Sequence, residues 1–110
     1  MKAIGLVGTP HGKKGNTGRL LDLVLAGIES RGGETETIAL KGGKVLPCRG
    51  CDTCHKKGEC PQEDDFEKIK AKIHDADGVL LASPNYIFSV SAQLKAFMDR
   101  CCGVIHCLGF

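Results

Sequence analysis

Four of the seven cysteines fall within residues 48–60, CRGCDTCHKKGEC, with two, two and five residues between successive thiols. Thiolates packed this closely suit an iron–sulfur cluster, because one compact loop must wrap a small inorganic core from several sides. A zinc site more often sets two Cys-x2-Cys pairs apart by a finger of about 12–20 residues, which this stretch lacks. Gly50 and Gly58 free the backbone to curl, and Pro47 and Pro61 bracket the loop. Arg49, Lys56 and Lys57 add positive charge around what would be an anionic centre. The stretch reads as a [4Fe–4S] loop, with metal-free thiols and a zinc site as the alternatives. His55 lies inside it, either as a substitute ligand or as a solvent-exposed side chain. Cys101, Cys102 and Cys107 stand outside the motif, and Cys101 follows Leu94 and Met98 on an apolar helix face, where packing is expected.

A second chemistry is written in residues 8–17, GTPHGKKGNT. The loop follows a short apolar run over 3–7, which suits a buried parallel strand. It precedes a helix whose Leu20, Leu21, Val24, Leu25 and Ile28 keep helical spacing, with Asn16 or Thr17 as the expected N-cap. Strand, loop and helix in that order present free backbone N–H groups at a helix N-terminus, which makes an anion site whose usual occupant is a phosphate. Lys13, Lys14 and the hydroxyls of Thr9 and Thr17 supplement it. The plainer alternative is a βα turn carrying no ligand. The loop fits neither the Rossmann glycine pattern nor a Walker lysine motif, so a dinucleotide or nucleoside triphosphate is not indicated.

A third stretch, SPNYIFSVSAQLK over 83–95, follows the apolar run Val79, Leu80, Leu81, Ala82. Alone, its Tyr86, Ile87 and Phe88 would signify core packing. Beside a phosphate loop they suggest a flat ring with a phosphate tail, which describes FMN. No Ser/His/Asp arrangement or paired-carboxylate site stands out, and no catalytic residue is assigned.

The elements that must hold these stretches alternate strand and helix. A polar edge strand is expected over 34–40. Asp64 or Asp65 caps a helix carrying Phe66, Ile69 and Ile73, and Ser91 caps a last helix with Leu94, Phe97 and Met98 inward. The run over 79–82 reads as a further buried strand. Such alternation predicts a parallel α/β sheet with helices on both faces, in which ligands bind beyond the carboxyl ends of the strands, where the strand order reverses. In a flavodoxin-like order that point lies between the first and third strands, whose ends carry the two flavin-type loops.

At 110 residues the chain is expected to form one domain over 1–110, with the cysteine loop at 47–61. Its 42% hydrophobic and 25% charged residues are those of a globular protein. A net charge of +2 is too small to argue for nucleic acid or an anionic membrane surface. With no signal-type apolar region and no span of about 18 apolar residues, and with an odd number of thiols, a cytoplasmic, reducing location is expected.

With the three stretches in place, the chain resembles the NADPH-dependent FMN reductase superfamily, and within it the iron–sulfur flavoproteins. The matching pieces are GTPHGKKGNT, PCRGCDTC…GEC…DD and ADGVLLASPNYIFSVSAQLKAFMDR, in family order. The resemblance implies a flavodoxin-like three-layer sandwich, incomplete here at about three strands and three helices. It places Thr9, His11, Asn16 and Thr17 around the FMN phosphate. It places Pro84, Asn85, Tyr86, Ile87 and Phe88 against the ring and ribityl chain, and gives Cys48, Cys51, Cys54 and Cys60 to a [4Fe–4S] cluster. Thr9 stands where the family has serine, and His11 where it has arginine. The family fold continues with two more strands, their helices and a third flavin-side loop, so the chain reads as its N-terminal part. Implied with it are a ferredoxin-like donor, electron transfer through cluster and FMN to a small acceptor, and a homo-oligomer that covers the open sheet edge. The alternatives are a cluster-free NAD(P)H-dependent FMN or quinone reductase and a non-enzymatic, truncated metal-binding module.

Overall fold

The computed structural model describes residues 1–102; Cys107 and the rest of 103–110 lie outside it. Three strands form one parallel sheet in the order β2-β1-β3: β1 (Lys2–Val7), β2 (Glu34–Ala39) and β3 (Gly78–Ala82). β1 is central. It aligns Lys2 with Glu34 and Val7 with Ala39 on one side, and Ala3 with Gly78 and Val7 with Ala82 on the other. A central parallel strand is buried on both faces, which is why residues 3–7 are continuously apolar or glycine.

Helices cover both faces. On one, α1 (Asn16–Glu29) lays Leu21 and Leu25 on Val7, with Leu80, Ala39 and Ala82 packed around them. Gly5 lets this helix pack closely, since a Cβ there would lie 2.9 Å from Leu21 Cδ2 and displace that side chain. On the other face, α3 (Phe66–His74) and α4 (Ala92–Arg100) bring Phe66, Ile69, Leu94 and Phe97 onto Ile4 and Leu6. The Phe66 and Phe97 rings sit 5.8 Å apart in a tilted pair. This is the flavodoxin-like three-layer architecture.

Four expectations need correction. The run over 79–82 is an edge strand rather than a buried one: Leu80 and Ala82 pack toward α1, but Val79 and Leu81 are 42% and 51% exposed. Leu20 and Val24 share the helical period of Leu21 and Leu25 yet face solvent, because the apolar band of α1 is wider than the three-stranded sheet beneath it. Met98, expected to face inward, is 42% exposed. The cysteine loop also contains a short helix, α2 (Thr53–Lys57), beyond the three helices the sequence pattern indicated. No helix among the described residues is long and apolar enough to cross a membrane.

Candidate functional site

The loops after β1 and β3 leave neighbouring strands at the same sheet edge, and they are bonded at their roots. Gly8 N donates to the Ala82 carbonyl at 2.8 Å. Ser91 Oγ donates to the Gly8 carbonyl, and the Ser91 N–H donates to Ser83 Oγ at 2.8 Å. Gly8 has no room for a side chain, because a Cβ would come within 2.7 Å of Leu94 Cβ. The point between the first and third strands, where the strand order reverses, is therefore a tight junction that carries both flavin-type loops.

Within the first loop Thr9 is buried, and its hydroxyl accepts the His11 N–H at 3.3 Å while the Gly12 N–H reaches the Thr9 carbonyl at 3.0 Å. Gly12, at a φ of +63°, opens a 3-10 turn over Gly12–Lys14. The chain then doubles back onto the first turn of α1, where a Cβ on Gly18 would lie 2.3 Å from the Lys13 carbonyl oxygen. Neither Asn16 nor Thr17 caps the helix. Gly15 holds the N-cap position in extended conformation with no side-chain bond. Asn16 and Thr17 are instead first-turn residues, exposed and half-buried respectively, and His11 is exposed beside them. The first-turn amides of a helix have no intrahelical acceptor and point outward past its end, so this loop retains the donors an anion requires.

The second loop stores backbone strain. Tyr86 and Ser89 exchange hydrogen bonds, Tyr86 N to the Ser89 carbonyl at 2.9 Å and Ser89 N to the Tyr86 carbonyl at 3.1 Å. The two residues between them, Ile87 and Phe88, both have positive φ, +50° and +61°. Tight turns of this kind ordinarily take Asn-Gly, and a β-branched residue there is an outlier. The strained residues are also the most exposed large apolar side chains, 92% for Ile87 and 97% for Phe88. Pro84 is half-buried, and Asn85 and Tyr86 are exposed. An unpartnered apolar tip of this kind, beside a loop with free amides, fits a flat ring with an anionic tail.

The cysteines stand elsewhere. Cys48, Cys51, Cys54 and Cys60 line one cavity of about 140 Å³, whose far wall is Phe66, Glu67 and Lys70 of α3 and Asp99 and Arg100 of α4. All four are free thiols. Among the described residues, no three Cys, His, Asp or Glu side chains are grouped to hold a metal ion, so the structure arranges the thiols around a space rather than on one point. Cys51 is held below its ordinary thiol pKa by the hydroxyl and N–H of Thr53, with Arg49 adding charge, and this favours the ligating thiolate form. Four thiols around one cavity are a donor set that fits a polynuclear thiolate-bound group. His55 is exposed and lies 3.9 Å from Asp52 Oδ1. Cys101 is half-buried against the core, as its helical position implied, and burial pushes its thiol pKa up.

None of residues 9–17 or 84–88 lines the cysteine cavity. The two candidate sites occupy opposite ends of α4, Ser91 at its N-terminus and Arg100 at its last turn, about 13.5 Å apart along the helix axis. No local pattern in the sequence marks Arg100 as part of the cysteine site. Its pairing with Asp64, a residue whose sequence context indicates only a helix cap, links positions 36 residues apart.

Comparisons with known proteins bear on the family and the fold. Residues 1–105 match the family model described as NADPH-dependent FMN reductase. Curated relatives include an iron-sulfur flavoprotein of Archaeoglobus fulgidus, 44% identical over 91% of this chain and 45% of its own length. Another, from Methanocaldococcus jannaschii, is 46% identical over 91% of this chain and 51% of its own length. An iron-sulfur flavoprotein of Methanosarcina thermophila is 36% identical, over 91% and 52% of the two chains. The chain thus spans about half the length of the curated relatives it matches. Among solved structures, a Klebsiella pneumoniae protein assigned as a quinone reductase superposes with a TM-score of 0.68 at 22% identity, covering 91% of this chain and 44% of that one. At that identity the likeness speaks to the fold alone.

Proposed function

Because the chain belongs to the NADPH-dependent FMN reductase family, we propose that it serves an FMN-dependent oxidoreductase whose cysteine loop carries a [4Fe–4S] cluster. The observation that carries the flavin half is the junction of Gly8, Ala82 and Ser91, which sets a loop with free amides beside the strained, exposed Ile87–Phe88 turn. The cluster half is supported by four free thiols around one cavity and by relatives named iron-sulfur flavoproteins.

In this reading Thr9, His11, Asn16 and Thr17, with the first-turn amides of α1, hold the phosphate, and residues 84–88 seat the ring and exclude water from one of its faces. Cys48, Cys51, Cys54 and Cys60 ligate the cluster. When bound, FMN exchanges electrons singly or in pairs and the cluster exchanges them one at a time. The protein's own contribution is to fix the distance between the two sites through α4 and to hold the four thiols around one cavity. A ferredoxin-like donor, a small-molecule acceptor, a homo-oligomer and a reducing, cytoplasmic setting complete the reading. The second reading, favoured by the family's description, is a cluster-free NAD(P)H-dependent FMN or quinone reductase.

The deciding experiment is an absorbance spectrum of anaerobically purified protein, with iron, acid-labile sulfide and released flavin assayed on the same sample. Flavin bands with a broad shoulder near ~400 nm and about four irons per chain support the cluster reading. Flavin without iron, bleached directly by NADPH, moves the assignment to the plain reductase. In the cluster protein, Cys54→Ser removes the cluster absorbance and leaves FMN bound; loss of both would make the loop chiefly structural.

A further inference from the structure

A groove of about 240 Å³ lies between the open edge of β2 and α3, and its positive charge comes from three separate elements. Lys13 belongs to the 3-10 turn, Lys44 to the loop after β2, and Lys68 and Lys72 to successive turns of α3. Two carboxylates, Glu36 and Asp65, share the lining. Lys72 is paired with Glu36, while Lys13, Lys44 and Lys68 have no ion-pair partner among the described residues. The Asp65 N–H donates to the Lys44 carbonyl at 2.9 Å, which ties the loop after β2 to the start of α3.

The strand contributes fixed donors. Glu34 N bonds the Met1 carbonyl and Leu40 N bonds the Val7 carbonyl, both at 2.9 Å, so alternate residues over 34–40 turn their N–H groups to β1. The N–H groups of Thr37 and Ala39, both in the groove lining, therefore point away from β1, on the side where β2 has no strand neighbour among the described residues. Lysines that only guard an edge against a further strand are carried by that strand; Glu34–Ala39 carries none. The space is smaller than the roughly 300–1,000 Å³ that encloses a small ligand, and its three unpaired lysines are exposed. It suits carboxylates projecting from a larger surface, which accept from the lysines and from the edge amides together.

α3 also separates this groove from the cysteine cavity, with Glu67 and Lys70 lining the cavity and Lys68 and Lys72 lining the groove. A helix with its side chains is about 10–12 Å across, so a molecule docked in the groove lies about one helix diameter from the cavity. We propose that the groove docks an acidic face of a partner protein, which gives up one electron at a time to the group held by the cysteines. One electron leaves the reduced partner and enters that group, and no bond is made or broken. The docking rests on the groove alone; only the partner's role as donor rests on the cluster reading above.

Calorimetry of an acidic two-cluster ferredoxin with the full 110-residue chain, purified anaerobically, tests the docking. Affinity should fall at least about tenfold between about 0.02 M and about 0.3 M salt. At low salt it should fall by a similar factor in Lys44→Glu/Lys68→Glu, two exposed substitutions that leave the Lys72–Glu36 pair intact. Lys56→Glu/Lys57→Glu, the same charge change on α2, should alter affinity less than about threefold. No binding by the wild type at low salt, or a loss in the α2 variant as large as in the groove variant, overturns the proposal. So does a single-stranded RNA that displaces the ferredoxin at comparable concentration, which would make the groove a general polyanion surface. In iron-loaded chain, reduced ferredoxin at limiting concentration should reduce the groove variant at least about tenfold more slowly than the wild type, while dithionite reduces both alike. Equal slowing with dithionite overturns the donor role. A wild-type chain that takes up no iron retires the cluster reading and the donor role with it, and the affinities still decide the docking.

Discussion

Ser91 Oγ donates to the carbonyl of Gly8, 83 residues earlier in the chain, while accepting the Leu94 N–H at 3.2 Å. One buried hydroxyl thus caps α4 and ties it to the end of β1. Ser91→Ala removes the cap and leaves the Gly8 carbonyl without this donor. The expected cost is about 1–2 kcal/mol of folding stability, measured by urea denaturation. FMN affinity should fall with it, since the loops the serine joins are those assigned to the flavin. Ser91→Thr should recover most of the stability. Full stability in the alanine variant would mean that Gly8 finds another donor.

Relieving the strained turn should separate stability from binding. Replacing Ile87 with Asn and Phe88 with Gly puts residues that tolerate positive φ where the backbone demands it, and should raise stability by about 1–2 kcal/mol. The same change strips two apolar side chains from the proposed ring seat, so flavin affinity should drop at least tenfold in a fluorescence-quenching titration. Added stability with unchanged affinity would remove this turn from the flavin site.

What the sequence made legible was mostly local. The continuous run over 3–7, the glycine-rich loop and the spacing of Cys48, Cys51, Cys54 and Cys60 each carry their own signal, because strand burial, backbone freedom and ligand geometry are read from neighbouring residues. The cap at Ser91 was legible for the same reason. Exposure was not. Helical spacing makes Leu20 and Leu21 look equivalent, yet only the latter has sheet beneath it. The Asp64–Arg100 pair was also beyond reach, because it depends on which helix ends meet in three dimensions. Positive φ at Ile87 and Phe88 runs against the residues' own preferences, so no local pattern announces it.

Acid should find the Asp64–Arg100 lock. Burial pushes the Asp64 carboxyl up, but Arg100 and the N–H groups of Leu46 and Phe66 outweigh it and hold the group below the ordinary carboxylate value. The unfolded chain, with an aspartate near about 3.9, therefore takes up its proton first as pH falls. The contribution is complete above the unfolded value and is lost as pH drops through the lower folded one. Urea midpoints measured from pH 7 down to about 2.5 should decline for the wild type. Asp64→Asn should start lower and decline less over the same range. Parallel curves for the two proteins would show that Asp64 is not the titrating group.

The outer edge of β3 has no strand partner among the described residues, and the surfaces flanking it are apolar. Val79 and Leu81, 42% and 51% exposed, are open on the face of Ile4 and Leu6. An unpaired edge strand with apolar flanks invites a further strand, and a second copy offers an identical edge with the same flanks. The chain in solution should therefore have the light-scattering mass of a dimer or larger assembly. Leu81→Lys, which places a charge on the exposed side of that edge without touching the core beneath Leu80, should shift the population to monomer at unchanged helical content. If the wild-type chain is already a stable, soluble monomer at tens of micromolar, a second copy is not what completes the sheet, and the oligomer leaves the functional reading.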